Sequence, residues 1–192
     1  MAAREAGIRV CLGADWAPSG SKQLLGELKV AHLWNRHPQG LGGAFSDQEL
    51  CEMVTAHPAD ALGWGDRIGR VRAGCFADLL ALPDRVPDPY GNLIRATERE
   101  VRLVLVGGRP TYGTVGMMGA AGAAGAEPLT VAGRRRAIAM LNPAVKDADM
   151  TWRQVLAALR AARADPVRAQ ARQLALAAGE EPLRIIPDDP GG

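Results

Sequence analysis

The sequence has few aromatic residues and no long apolar run, and each shortage excludes a class of function. Its 192 residues include two Tyr, two Phe and four Trp, too few rings to suggest a surface on which nucleic-acid bases stack. The 23 basic and 21 acidic side chains nearly balance, and no block is basic enough to favour nucleic acid or an anionic membrane. No stretch reaches the ~18 apolar residues of a membrane span, and the N-terminus has no apolar signal core.

Cysteine is also scarce. Cys11, Cys51 and Cys75 are an odd number at wide spacings, which fits neither a disulfide framework nor a zinc knuckle. Reduced thiols are typical of the cytosol, so the sequence predicts a cytoplasmic protein. With 47% apolar and 23% charged residues, the composition is that of an ordinary globular chain.

One stretch near the N-terminus combines an apolar run with a candidate functional residue. Ile8 to Leu12 is an apolar run, interrupted only by Arg9, that leads through Gly13 to Asp15 and a loop rich in Pro, Gly and Ser. Such a run is typical of a strand buried on both faces of a parallel sheet. Ligands bind where such strands end, so Asp15 is a candidate for chemistry, although Asp after a strand is also a common turn or cap residue. No second strand of this kind lies near it, which predicts that an N-terminal part is missing.

Helices are predicted after this loop. Ser21 is a candidate cap for the first helix, and Ser46 and Glu49 have the spacing of a capping box for the second. His57 and Pro58 mark a further helical turn, with His57 as its cap. The apolar stripe of the first helix is predicted to be Leu24, Leu25, Leu28, Ala31 and Trp34.

The second half predicts short strands and then a pair of helices. Gly107-Gly108 is typical of a two-residue hairpin turn. The composition of residues 113–126 predicts a flexible connector, and Arg134–Arg136 are predicted to form a solvated turn. The predicted strands are 79–82, 101–106, 129–131 and 137–141, and the predicted helices begin at Thr151 and at Asp165-Pro166, the last ending at Gly179.

Three motifs resemble a known family. The first is Gly13-Ala14-Asp15 with its loop and the helix ending at Ala31. The second is Thr55-Ala56-His57-Pro58-Ala59, in which His57 stands where the family usually has Asn, and the third is Ile68-Gly69 followed by Ala77-Asp78-Leu79. Together with the hairpin at 104–110, they resemble the C-terminal part of an amidohydrolase-superfamily enzyme. The cytosine-deaminase and chlorohydrolase-like branch is the most similar.

The resemblance implies an α/β fragment in three parts. Residues 1–66 would be the last strand and helices of a (β/α)8 TIM barrel, a fold of ~250 residues when complete. Residues 67–142 would be the C-terminal part of a small composite β-sandwich, and residues 143–192 a helical extension with an αα-hairpin and a tail.

The resemblance also implies a metal-dependent hydrolase acting on non-peptide carbon–nitrogen bonds of a small molecule. One or two divalent ions, often zinc, would lower the pKa of bound water towards ~7. Asp15 would be both metal ligand and catalytic residue, taking the proton from that water and passing it to the leaving nitrogen. Loop residues Trp16, Ser19, Ser21 and Lys22 would face the substrate, although loop packing and capping account for them equally well.

One departure from the family pattern limits this interpretation. The family site also needs a His-x-His pair, whereas His32, His37 and His57 all follow Asp15 without that spacing. Zinc takes three or four protein ligands, so a single carboxylate does not hold it. The chain alone is therefore expected to bind no catalytic metal and to be inactive. The alternatives are a non-enzymatic assembly module and a subunit of a split hydrolase, completed by an N-terminal chain or within a homo-oligomer. Substrate and oligomeric state stay open.

Overall fold

The computed structural model describes residues 2–15, 20–140, 150–168, 170 and 171. The chain divides into two compact units, Met1–Met140 and Leu141–Gly192. No helix in these ranges is long and apolar enough to cross a membrane. The helices are α1 (Ala2–Glu5), α2 (Leu24–Arg36), α3 (Asp47–Glu52), α4 (Ala56–Ala61), α5 (Pro89–Arg95), α6 (Val115–Ala120) and α7 (Trp152–Ala164), and the strands are β1 (Leu79–Ala81), β2 (Leu103–Val106), β3 (Arg109–Gly113), β4 (Glu127–Val131) and β5 (Arg134–Ile138).

The helical core of the first unit lies where α2, α3 and α5 meet. Each helix presents an apolar side chain there because apolar residues recur at helical spacing. Burial raises the pKa of the Cys51 thiol to about 12, so this cysteine is a neutral core residue, and all three cysteines are free thiols. The buried cluster is Leu28, Leu50, Cys51, Met53 and Ile94.

The apolar stripe predicted for α2 is partly correct. Leu28 is completely buried, whereas Leu24 and Trp34 are 44% and 51% exposed. The helix also buries a polar residue, Asn35, whose side chain bonds the backbone of Phe45 through both N–H and C=O. Helical spacing gives the direction of the stripe, but the elements that cover it decide its width.

The capping box at the start of α3 is confirmed. Ser46 Oγ accepts a hydrogen bond from the backbone N–H of Glu49 at 3.2 Å. Glu49 Oε2 accepts from the backbone N–H of Ser46 at 2.7 Å. Both otherwise unpaired amides at this helix terminus are therefore satisfied locally.

The strands form one antiparallel sheet in the order β1-β2-β3-β5-β4. The predicted Gly107-Gly108 turn is confirmed, and both residues have positive φ angles of 54° and 79°, which glycine adopts without steric cost. Asp78 Oδ1 accepts from the backbone N–H of Gly107 at 2.7 Å and so stabilises the turn. The TIM barrel and the β-sandwich stay predictions.

The solvated turn predicted at Arg134–Arg136 is wrong, because all three residues belong to β5. The turn falls instead at Ala132 and Gly133, whose φ angles are 48° and 74°. Side chains alternate along a strand, and Arg136 points inward with 5% of its surface exposed. Its guanidinium donates to the carbonyls of Arg99 and Arg135.

The flexible connector predicted for residues 113–126 is also wrong in part, since α6 lies within it. Thr114 Oγ1 accepts from the backbone N–H of Met117 at 3.3 Å and caps this helix. Met118 is 1% exposed, so one buried side chain packs a segment that otherwise consists largely of Gly and Ala.

The second unit contains α7, whose capping box joins Thr151 and Gln154. Leu159, predicted on its apolar face, is 59% exposed. Residues 166–168, 170 and 171 are helical, and the remainder of the second predicted helix lies outside the described residues. The αα-hairpin therefore stays a prediction.

Two leucines of α2 provide a matched test of the helical core. Leu28→Ala should lower the free energy of unfolding by about 2–5 kcal/mol, because it leaves a cavity in a fully buried position. Leu33 lies on the same helix and is 69% exposed, so Leu33→Ala should change stability by less than about 0.5 kcal/mol. Urea unfolding measures both, and equal losses would contradict this account of the core.

The capping box also predicts a pH dependence. Its hydrogen bonds from Ser46, helped by the nearby Arg4, hold the pKa of Glu49 below its usual range. The unfolded state therefore binds the proton more readily, and the stabilisation present above about pH 4.3 is lost as the pH falls through the lower, folded-state pKa. Glu49→Gln keeps an acceptor but does not titrate, so its urea midpoint should fall less below about pH 5. Glu5→Gln, in exposed α1, is the control and should follow the unmodified chain.

Candidate functional site

Residues 8–15, the segment that carries Asp15, form neither a helix nor a ladder with another strand in the described part of the chain. Val10 and Leu12 pack against the helical core, whereas Ile8 is 62% exposed and Cys11 is also exposed. The structure thus differs from the predicted strand buried on both faces. Both faces of a strand are buried only where other elements pack on each side of its sheet, and among the described residues the packing involves the side chains of Val10 and Leu12.

Hydrogen bonds attach the inner edge of this segment to the first unit. The backbone N–H of Leu12 donates to the carbonyl of Met53 at 2.9 Å. His57 Nδ1 lies 3.1 Å from the carbonyl oxygen of Val10. The bonded groups belong to residues two apart, as expected for one edge of an extended chain. The direction of the chain that leads to Asp15 is therefore set by Met53, which follows α3, and by His57 in α4.

Asp15 itself is exposed. Within the described ranges, no group of three or more His, Cys, Asp and Glu side chains is placed to hold a metal ion. Zinc requires three or four ligands, so the described residues do not by themselves form the zinc site that the resemblance implies.

The three histidines each have contacts away from Asp15. His32 Nδ1 is 3.0 Å from Asp47 Oδ1, and the His37 ring stacks on Trp34 with centroids 5.6 Å apart. His57 bonds Val10 and lies inside α4, whose N-cap is Thr55. The prediction that His57 caps this helix is therefore wrong, and its contact with a residue 47 positions away was not visible in local sequence.

The predicted substrate loop is described only in part. Trp16 and Ser19 lie outside the described residues, while Lys22 is exposed. Ser21 does not cap α2, because the N-cap is Gln23 and makes no side-chain cap bond. The backbone N–H of Ser21 instead donates to Glu27 Oε1.

Gly26 explains why the chain passes so close to α2 at this point. A Cβ atom at position 26 would lie 2.7 Å from the Cβ of Ser21, so only glycine allows this approach. The substrate-contacting roles of Ser21 and Lys22 stay predictions.

An apolar groove of about 490 Å³ lies beside the N-terminal half of α2. The sequence did not predict this groove, because its walls come from parts of the chain that are far apart in sequence: α2, the chain after α3, and β1. Two charged residues, Arg70 and Asp78, border it, and Asp15 is not part of its lining. Its apolar walls include Leu24, Leu25, Val54, Val71 and Leu80.

Comparison with known proteins connects this unit to one family. The model of the amidohydrolase family matches residues 1–111, which include the extended segment, α2 to α5 and the β2–β3 turn. The match thus covers more than half of the 192 residues.

Several curated proteins are similar over the same region. A 5-methylthioadenosine/S-adenosylhomocysteine deaminase of Desulforudis audaxviator is 34% identical over 111 residues, 57% of this chain and 25% of the relative. The protein of the same name from Syntrophobacter fumaroxidans is 31% identical over 113 residues, 55% of this chain and 26% of the relative. A 5'-deoxyadenosine deaminase of Methanoregula boonei is 37% identical over 83 residues, 43% of this chain and 18% of the relative.

The chain thus spans about a quarter or less of the length of these relatives. Members of the matched family are generally metal-dependent hydrolases. Because the family model covers the greater part of the chain in one continuous stretch, this chain belongs to the amidohydrolase family.

Proposed function

We propose that this chain is the C-terminal part of a metal-dependent amidohydrolase that deaminates an adenosine derivative. In that reaction water replaces an amino group, so that one carbon–nitrogen bond breaks, one carbon–oxygen bond forms and ammonia leaves. Family membership supports the reaction class. The names of the similar proteins, all deaminases of adenosine derivatives, support the substrate class.

One structural observation supports a role for Asp15. The carboxylate stands at the exposed end of an extended segment whose inner edge is bound to the helical core through Leu12 and Val10. In α/β enzymes, ligand-binding residues stand at the ends of extended chains that pack on a core, and Asp15 has this position. Asp15 would contribute one ligand, and residues outside this chain would supply the others.

The outer edge of the segment supports a contribution from residues outside this sequence. The backbone N–H groups of Arg9 and Cys11 have no hydrogen-bond acceptor among the described residues. Unpaired backbone groups on an extended edge readily add another strand. A hydrolase completed by residues outside this sequence, as in a split enzyme with a complementing N-terminal chain in the cytoplasm, therefore fits the geometry better than a site formed by these residues alone. An assembly module without catalysis is the second candidate, favoured by the apolar groove beside α2.

A zinc titration tests whether the chain alone holds the metal. We expect calorimetry on the purified chain to detect no tight stoichiometric site, because zinc needs three or four ligands and the described residues contain no group of three or more candidate ligands. Asp15→Asn should give the same trace. A single tight site that disappears in Asp15→Asn would contradict the proposed dependence on residues outside this chain.

A chimera tests the catalytic role. Residues 1–111 of this chain would replace the matching region of the Desulforudis audaxviator relative, whose remaining three quarters would supply the other ligands. We expect the chimera to deaminate 5-methylthioadenosine, and Asp15→Asn to lower kcat by about 10²–10⁴-fold, the range for loss of a proton-transfer group.

The matched control for this chimera is Asp66→Asn, a change at an exposed carboxylate beyond α4, which should keep full activity. If Asp15→Asn were as active as Asp66→Asn, the catalytic role of Asp15 would be wrong. A folded chimera without activity would favour the assembly module.

A further inference from the structure

His57 makes contacts with two other parts of the first unit. Its Nδ1 lies 3.1 Å from the carbonyl oxygen of Val10, and its Nε2 lies 3.6 Å from Glu52 Oε2 in α3. A carbonyl oxygen only accepts hydrogen bonds, so Nδ1 carries the proton and donates it. The ring therefore joins α4 to the extended segment on one side and faces a carboxylate of α3 on the other.

Besides the packing of Val10 and Leu12 on the helical core, few other polar contacts hold this segment. Leu12 donates its backbone N–H to Met53, and Arg9 lies 3.9 Å from Asp60 in an ion pair with 46% of the arginine side chain exposed. An exposed pair at that distance contributes little. The two hydrogen bonds are thus the main polar ties between the segment and the chain around α3 and α4.

Asp15 lies three residues beyond the last of these ties. An extended chain advances about 3.3 Å per residue, so its Cα can lie about 10 Å past Leu12. Over that length a change of direction at residues 10–12 becomes a large displacement of the carboxylate, and a misplacement of about 1 Å is enough to slow an enzymatic reaction severely.

We infer that His57 is a positioning residue, which aims the Asp15 segment by donating its Nδ1–H to the carbonyl of Val10. The link to catalysis rests on the proposed function, while the link to the segment does not. His57 stands within the motif of residues 55–59, and its role follows from a contact with a residue 47 positions earlier in the chain.

Two substitutions separate the hydrogen bond from the volume of the ring. His57→Phe keeps a ring of similar size and loses the donor. His57→Asn loses the ring but keeps an N–H group at the δ position, the same number of bonds from the backbone as Nδ1. If the His57 side chain only fills space, His57→Asn should be the more harmful change. If it positions the segment by donating a hydrogen bond, His57→Phe should be the more harmful change.

Amide hydrogen exchange in the full chain measures directly how firmly the segment is held. We expect His57→Phe to speed exchange at the backbone N–H of Leu12 about tenfold, the equivalent of one lost hydrogen bond. His57→Asn should restore a rate close to that of the unmodified chain. The Gly107 N–H, bound to Asp78 in the hairpin, should be unchanged and shows that the fold is intact. Equal acceleration by both variants, or none in His57→Phe, overturns the inference.

A second measurement needs no variant and so does not depend on one that folds. Proton–nitrogen correlation spectra of the imidazole in the unmodified chain should place a proton on Nδ1 of His57, since Val10 can only accept. A neutral ring protonated on Nε2 alone overturns the inference.

The chimera described above separates this inference from the proposed function. There, His57→Phe should lower kcat about tenfold and His57→Asn should recover it. An unaffected kcat in His57→Phe beside an inactive Asp15→Asn overturns the positioning role. Full activity in Asp15→Asn overturns the proposed function instead, and the exchange rates then decide the inference alone.

Discussion

Two hydrogen bonds to one edge of an extended chain carry the interpretation of this molecule. The Leu12 amide bonds Met53 after α3, and the Val10 carbonyl bonds His57 in α4. The side chains of the same two residues, Val10 and Leu12, pack on the helical core. Backbone polar groups away from water need partners. The inner edge of the segment finds them within this unit, whereas the outer edge leaves its groups available to another strand, and this asymmetry supports the proposal that other residues complete the site.

The sheet has stabilising hydrogen bonds of its own within the first unit. The β2–β3 turn combines two glycines with positive φ angles and a carboxylate, Asp78, that accepts from the turn amide. Arg136 shows how the same sheet accommodates a buried charge. Its guanidinium donates to two backbone carbonyls, which compensates part of the cost of removing a charged group from water.

Membership of the amidohydrolase family and the proposal that other residues complete the site both follow from how little of the family's length this chain covers. The region that resembles the family makes up about a quarter or less of each curated relative, and it includes one candidate metal ligand. The histidines that it does contain are engaged in contacts with Asp47, Trp34 and Val10. These contacts stabilise the unit, and the three histidines do not form a metal site among the described residues.

The sequence by itself determined the features that depend on neighbours within a few positions. The capping box at Ser46, the helix start at Thr151 and the Gly107-Gly108 turn are of this kind, because a side-chain oxygen three residues from its amide, or a pair of residues free to adopt positive φ, acts locally. The family resemblance followed from motifs of the same short range.

Only the tertiary structure decided the inward direction of Arg136, the burial of Met118, the apolar groove beside α2 and the contact of His57 with Val10. The physical reason is distance along the chain. The groove combines residues from Leu24 to Leu93, and His57 reaches back 47 positions. The local sequence pattern carries no information about which distant side chains will be in contact after the chain has folded. Those contacts decide how deeply a residue is buried and which residue it bonds.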